Sequence, residues 1–320
     1  MNRKVYSDSS IKRIREHLES RDSKYITYPK FFFLCGKGFD KEDKNSYHCS
    51  NRGILQDFIE KLLPDAKIVL SEQLWEDDFD KSIDLLVFEQ FLAEVSDAVI
   101  LFVESPGAFC ELGAFAYADA SFSDKLIIIM DEQYRDSHSF ISTGPVLKAK
   151  SDGSKVFYAS IKDGSIMASH ELRSGIISFV NDLKTRQSKM NKRIVNKGTC
   201  VYINSFINEI LELLKLVQPI LTKDLIPLYK LIKGFESFTL VDRTGNEFKR
   251  EIRIKYIMKL LQKAGIIQVN GEGDNEIVFL SDYRKVQNLM LKYYGNGMYR
   301  ERNRLLCRSI AMVNAYDISC

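Results

Sequence analysis

Between residues 30 and 182 the chain alternates short, continuously apolar runs with longer stretches in which apolar residues recur every three or four positions. The runs in KFFFLCGKG, KIVL, AVILFV and KLIIIM show no polar alternation, so each is predicted to be a strand buried on both faces; SKVFYA is a weaker last strand. Between them NRGILQDFIEKLLPDA sets Ile54, Leu55, Phe58, Leu62 and Leu63 at helical spacing and closes at Pro64. SIDLLVFEQFLAEVSD predicts a helix that turns Leu86, Phe88, Phe91, Leu92 and Val95 to a core, and ELGAFAYADASF and HELRSGIISFVNDLKT predict two more. Buried strands separated by amphipathic helices give an α/β fold, a doubly wound, mostly parallel sheet covered on both sides. Such sheets bind ligands beyond the carboxyl ends of their strands. Two marked loops, Gly36-Lys37-Gly38 and Glu104-Ser105-Pro106-Gly107, fall there.

The pattern changes after residue 182. LKTRQSKMNKRIVNKG is polar, basic and without apolar period, and residues 183–199 are read as a linker. SFINEILELLKLVQPI, KDLIPLYKLIKGF and EIRIKYIMKLLQKAG then predict three helices, and IIQVNGEGDNEIVFLS predicts two strands around a Gly/Asn/Asp loop. That order is a small winged helix-turn-helix domain, residues 200–320, and the charged start, residues 1–29, is a helical extension. On the third helix Ile254, Ile257, Met258 and Leu261 share one face, and Lys255, Lys259 and Lys263 the other; Arg250 opens it. A basic stripe of this kind meets phosphates without reading bases. The plain alternative is a solvated face.

Charge sharpens the division. Residues 1–180 carry 22 Lys/Arg against 29 Asp/Glu, and residues 181–320 carry 24 against 14. An acidic front and a basic back suggest two tasks, the second facing a polyanion. No apolar run is long enough to span a membrane, and the charged start does not read as a signal peptide. Six cysteines without C-x-x-C pairing read as reduced thiols of a cytoplasmic protein. Four scattered histidines argue against a metal site or a His-based triad, which leaves carboxylates as the candidate chemistry.

The stretch ESPGAFCELGAF (104–115) concentrates that chemistry. Ser-Pro at a strand end favours entry into a helix, Gly107 and Ala108 leave room for a ligand, and Glu111 is expected near the helix start, where the macrodipole favours its ionised form. A carboxylate there suits the oxocarbenium-like transition state of N-glycosidic cleavage; a glutamate favoured by its helix position is the plain alternative. Lys37 is either a phosphate ligand or a solvated loop tip. Glu89 reads as a structural acid bracing the site loop, Trp75 as the cap of a surface patch, Phe115 and Tyr117 as core, and Cys110 as a buried thiol.

The run SDAVILFVESPGAFCELGAFAYA resembles the active-site segment of the nucleoside 2-deoxyribosyltransferase-like superfamily, which has a Rossmann-like fold. Together with the C-terminal winged helix it is similar to the effector proteins of bacterial retrons, anti-phage systems built on a reverse transcriptase and its branched RNA–DNA product. The resemblance covers residues of about 30 to 180, and more loosely 200 to 320. It implies Glu111 as nucleophile, with Glu104 as a second catalytic acid, and Gly36, Lys37, Gly38, Asp97, Ser105, Pro106 and Gly107 around the substrate; the plain alternative for Asp97 is a turn residue at a helix end. Ser105 stands where true transferases tend to carry an acid, which favours hydrolysis over base exchange. The resemblance implies NAD or a related nucleotide as substrate, no further cofactor, and no metal. It further implies silencing by the reverse transcriptase and its product, and at least a dimer. The rival expectations are a nucleotide-sensing transcription regulator and a nucleoside deoxyribosyltransferase proper.

Overall fold

A computed structural model describes residues 8–19, 30–39, 44–75, 84–117, 123–161, 164–190, 199–242 and 250–281. The chain divides into two compact units, Pro29–Lys189, and Met1–Tyr28 together with Met190–Cys320. Helix α1 (Asp8–Glu19) therefore belongs with the C-terminal half. The sheet unit follows as β1 (Phe31–Cys35), α2 (Lys44–His48), α3 (Asn51–Leu62), β2 (Lys67–Val69), α4 (Ser71–Trp75), α5 (Leu85–Val95), β3 (Ala98–Val103) and α6 (Pro106–Ala116). It is completed by β4 (Leu126–Asp131), α7 (Leu147–Ser151), β5 (Lys155–Ala159) and α8 (His170–Met190).

All five strands are parallel, in the order β2-β1-β3-β4-β5. The direction of winding reverses between β1 and β3, which is where a doubly wound sheet opens a ligand crevice. Strand residues alternate between faces. On one face Phe32, Leu34, Ile100 and Phe102 pack with Leu55 and Ile59 of α3 and with Leu172, Ile176 and Phe179 of α8. On the other, Phe33 meets Phe115 of α6 edge to face, ring centroids 6.4 Å apart, and α5 packs against β1. Every residue of β1 and β3 is buried, and each large apolar side chain so placed contributes about 1.5–3 kcal/mol.

Several expectations are corrected. Asp84 caps α5 by accepting from the Val87 amide, so the helix starts at Leu85 and its first turn, Leu85, Leu86 and Val87, is exposed. Leu86 thus lies outside the core that Phe88, Phe91, Leu92 and Val95 enter. Tyr117 closes α6 and is exposed, whereas Phe115 is buried. Cys110, on the outer side of α6, is an exposed thiol. Residues 183–190, read as linker, continue α8 to Met190; residues 191–198 lie outside the described set. Trp75 is half-buried against Phe88, ring centroids 5.6 Å apart.

The second unit holds β6 (Cys200–Tyr202), α9 (Ile203–Val217), β7 (Ile220–Leu221), α10 (Thr222–Lys233), β8 (Thr239–Val241), α11 (Arg250–Lys263), β9 (Ile267–Asn270) and β10 (Ile277–Leu280). Strands β7, β10 and β9 form an antiparallel sheet in that order, and β6 pairs with β8. The turn between β9 and β10 is exposed and uses left-handed Gly271 and Gly273. Phe206, Tyr229 and Phe238 cluster at the centre, Tyr229 edge to face against both phenylalanines. Helix α1 buries Ile11, Ile14 and Leu18, and its Arg15 guanidinium donates to the Ile232 and Leu231 carbonyls at the end of α10. A cation is favoured at that helix terminus. On α11, Ile257 and Leu261 are buried and Ile254 and Met258 half-buried, while Lys255 and Lys263 are exposed and Lys259 partly so. The side chain of Arg250 lies outside the described set.

Helix α3 enters the sheet unit through a steric restriction at Gly53. A Cβ there would lie 2.1 Å from the Tyr47 carbonyl oxygen and 2.9 Å from His48 Cα. Gly53→Ala must push the two helices apart, and is expected to cost about 1–3 kcal/mol of stability. The unfolding midpoint in urea measures this; an unchanged midpoint would show that the contact is slack.

Candidate active site at the carboxyl edge of the sheet

The loop after β1 and the start of α3 form one wall. Gly36 has φ 153°, and a Cβ on it would meet Phe102 Cβ at 3.0 Å and Glu104 Oε1 at 3.1 Å, so glycine is required. Lys37 acts through its backbone: its N–H donates to Glu104 Oε1 at 3.1 Å, and its carbonyl accepts from Arg52 Nη2 at 2.8 Å. Gly38 is exposed, with open space around its Cα hydrogens. Asn51 and Arg52, the first two residues of α3, are both buried. Asn51 Nδ2 donates to Glu104 Oε2 at 2.7 Å and to the Ile161 carbonyl at 3.0 Å. The Arg52 guanidinium also pairs with Glu72 at 2.7 Å and lies over the Phe39 ring, 5.5 Å from its centroid.

The loop after β3 forms the facing wall. Ser105 is the N-cap of α6, its hydroxyl accepting from the Ala108 amide at 3.3 Å, and Pro106 opens the helix. Gly107 faces open space; the nearest atom to its virtual Cβ, Ser105 Oγ, is 4.0 Å away. Because the cap is Ser105, α6 begins five residues before Glu111. Glu111 therefore occupies the second turn, beyond the reach of the helix terminus, which corrects the expectation of a carboxylate kept ionised by the macrodipole.

Its environment favours the opposite state. Burial, joined by the nearby Glu89 and Glu72 carboxylates and only partly offset by Arg52, raises the Glu111 pKa to about 7. Glu111 Oε2 is buried and accepts no hydrogen bond within the protein. Burial also pushes Glu89 up, against a hydrogen bond from Ser71. Burial pushes the Cys35 thiol at the end of β1 well up, and Glu111, Glu89 and Glu72 add to this while Arg52 opposes it, which places all four near that thiol. Three carboxylates and one guanidinium thus cluster at the switch point.

Asp97 is elsewhere. It precedes the first residue of β3 and accepts from Lys30 Nζ at 2.7 Å and the Phe31 amide at 3.0 Å, bracing the amino ends of β1 and β3. A parallel sheet puts that end opposite the site, so Asp97 is withdrawn from the substrate-binding set.

The model of a family described as STM3845 retron effector protein matches residues 48–269. The chain belongs to this retron effector family. An Escherichia coli protein named "Retron Ec86 putative ribosyltransferase/DNA-binding protein" is 32% identical to this chain over 197 residues, 58% of this chain and 60% of the relative. A retron Ec73 protein of the same organism and description is 36% identical over 122 residues, 37% of each chain. The chain thus spans 60% and 37% of the length of these two relatives. In this retron effector the matched span includes Asn51, Arg52, Glu72, Glu89, Glu104 and Glu111. Among the described residues no helix is long and apolar enough to cross a membrane.

Sequence reasoning passed over Asn51, Arg52 and Glu72. A signal for the first two exists: polar residues directly before Gly53, at the start of the helix that follows the first-strand loop. Glu72 carries no such signal, since only the fold brings α4 to Arg52.

The raised Glu111 pKa has a consequence for stability. The folded effector binds this proton up to about pH 7, the unfolded chain only up to about 4.5. Wild-type stability therefore falls, through this group, as pH rises from about 4.5 to 7. Glu111→Gln is expected to gain roughly 1–3 kcal/mol over wild type at pH 8, and little of that at pH 4. Denaturant titrations at both values test it; a pH-independent difference would place the carboxylate in water.

Proposed function

We propose that this effector is an N-glycosidase of the nucleoside 2-deoxyribosyltransferase-like superfamily, acting on NAD or a related nucleotide, with Glu111 as the reacting carboxylate. One observation carries the reading: Glu111 presents a buried oxygen without a protein partner at the switch point of the sheet, held half-protonated near neutral pH. The two relatives are named as ribosyltransferases, which supports chemistry at a ribosyl carbon.

The electron balance is simple. Ionised Glu111 attacks or shields C1 of the ribose, and the C1–N bond breaks with its electron pair returning to the pyridinium nitrogen, so that neutral nicotinamide leaves. Water then adds to C1, loses a proton, and frees the carboxylate. The cationic sugar stabilises ionised Glu111 at the moment it is needed, so the low-charge resting state does not impede the reaction. Gly107 and the capped start of α6 leave space for the sugar, and the Lys37 loop faces it. A transfer reaction, with a base or other acceptor replacing water, is the second reading, favoured by the relatives' names.

The second unit is proposed to be a winged helix, supported by the order α9-β7-α10-β8-α11-β9-β10 and the glycine turn between its last strands. Its partner is the branched RNA–DNA product together with the reverse transcriptase, which keep the enzyme silent until they are disturbed. The name of the two relatives includes DNA binding, in keeping with a polyanionic partner.

Purified protein incubated with NAD should release nicotinamide, its retron partners should suppress that release, and Glu111→Gln should abolish it. NAD left intact with and without the partners, but bound, would favour a nucleotide sensor; ribosyl transfer to an added base would favour the second reading. Glu89→Gln removes a like charge, so the acid limb of kcat/KM is expected to move to lower pH. An unmoved limb would disconnect Glu89 from Glu111. Neutralising Lys255, Lys259 and Lys263 should reduce the salt dependence of nucleic-acid binding by up to about three counterions; an unchanged slope would direct the contact elsewhere.

A further inference from the structure

We propose that Glu104 is a positioning residue, an acceptor staple that fixes three loops of the site and exchanges no proton with substrate. This rests on the reading that the Glu111 end of the sheet is the reaction site, but departs from the expectation of a second catalytic acid. Both carboxylate oxygens of Glu104 are engaged. Oε1 accepts from the Lys37 N–H of the loop after β1, and Oε2 accepts from Asn51 Nδ2 at the start of α3. Asn51 then spends its second amide hydrogen on the Ile161 carbonyl, beyond the end of β5. Both partners of Nδ2 are acceptors, so the orientation of the carboxamide is fixed.

The loop fits closely to this carboxylate. Glu104 Oε1 lies 3.1 Å from where a Cβ at Gly36 would stand, so a side chain there would have to displace the carboxylate. The Lys37 residue is gripped at both of its backbone polar groups, N–H by Glu104 and C=O by Arg52. Both oxygens serve as acceptors, one for each loop, which is the hydrogen-bonding role a carboxylate side chain supplies and a carboxamide supplies at only one of its two terminal atoms. Glu111, by contrast, keeps an oxygen with no protein partner. The two glutamates of the ESPGAFCE segment therefore divide the work: one holds, the other reacts.

The test reverses the hydrogen bond. Glu104→Gln must turn an NH2 group toward Lys37 N–H or Asn51 Nδ2, and Asn51→Asp sets two carboxylates face to face. Combining Asn51→Asp with Glu104→Gln restores complementarity between these two side chains, with the Gln donating to Asp and its oxygen accepting from Lys37, while the bond to the Ile161 carbonyl stays lost. Each single variant should lose about 10-fold or more in kcat, keep the acid limb assigned to Glu111, and lose amide-exchange protection at Lys37. The double variant should recover both protection and a substantial part of the rate. An acid–base role would be revealed by Glu104→Gln losing a limb of the pH profile with Lys37 protection intact and no recovery in the double variant. Protection at Lys37 that is unchanged in Glu104→Gln overturns the staple whatever the substrate proves to be. Loss and recovery of protection without any nicotinamide release would leave the staple standing and refute the NAD reading alone.

Discussion

The architecture depends on the burial of β3. All six of its residues are shielded from solvent, and it is hydrogen-bonded on both sides, to β1 and β4. Such a strand has nowhere to place a polar side chain until it leaves the sheet, and the first it meets is Glu104. Backbone and side-chain polar groups at that edge must then satisfy one another. The Lys37 amide, the Asn51 carboxamide and the Ser105 cap are the means by which this happens. The position of the candidate site is thus a consequence of where an apolar strand between two neighbours is obliged to end.

The same burial creates the electrostatic character of the site. Glu111, Glu89 and Glu72 are brought together with Arg52 as their nearby cation. Desolvation and like charge make ionisation of Glu111 costly, so the fold holds there a group that would be more stable uncharged. That is a common cost at reactive positions, where local stability is given up for a poised group. Arg52 limits it. Its guanidinium, held by Glu72 and the Lys37 carbonyl, cannot swing away from the cluster without leaving a buried charge unpaired.

The second unit is stabilised by different means. Its core is an aromatic cluster of Phe206, Tyr229 and Phe238, and its polar ends are closed by local contacts. Glu209 takes the Tyr229 hydroxyl and the Lys233 ammonium, and Arg15 of α1 covers the last carbonyls of α10. The opening helix is therefore a structural part of a unit whose remaining helices lie near the other end of the chain.

Periodicity alone determined the buried strands, their alternation with helices, and the three helices and hairpin of the second half, because burial on both faces and amphipathic spacing are written residue by residue. It also located the loops Gly36–Gly38 and Glu104–Gly107 at the carboxyl edge. What it could not determine is which end of a helix a residue occupies, or which distant groups meet. Glu111 falls in the second turn because Ser105 is the cap, and Asp97, implied in the site by the resemblance, lies at the other end of β3 from Glu104. The Glu72–Arg52 pair, the reach of Asn51 to Ile161, and the junction of α1 with α10 join residues far apart in the chain, and only tertiary packing decided them. Electrostatics followed the same rule: a carboxylate's proton affinity depends on the neighbours and the solvent it loses on folding, and neither is a property of its place in the sequence.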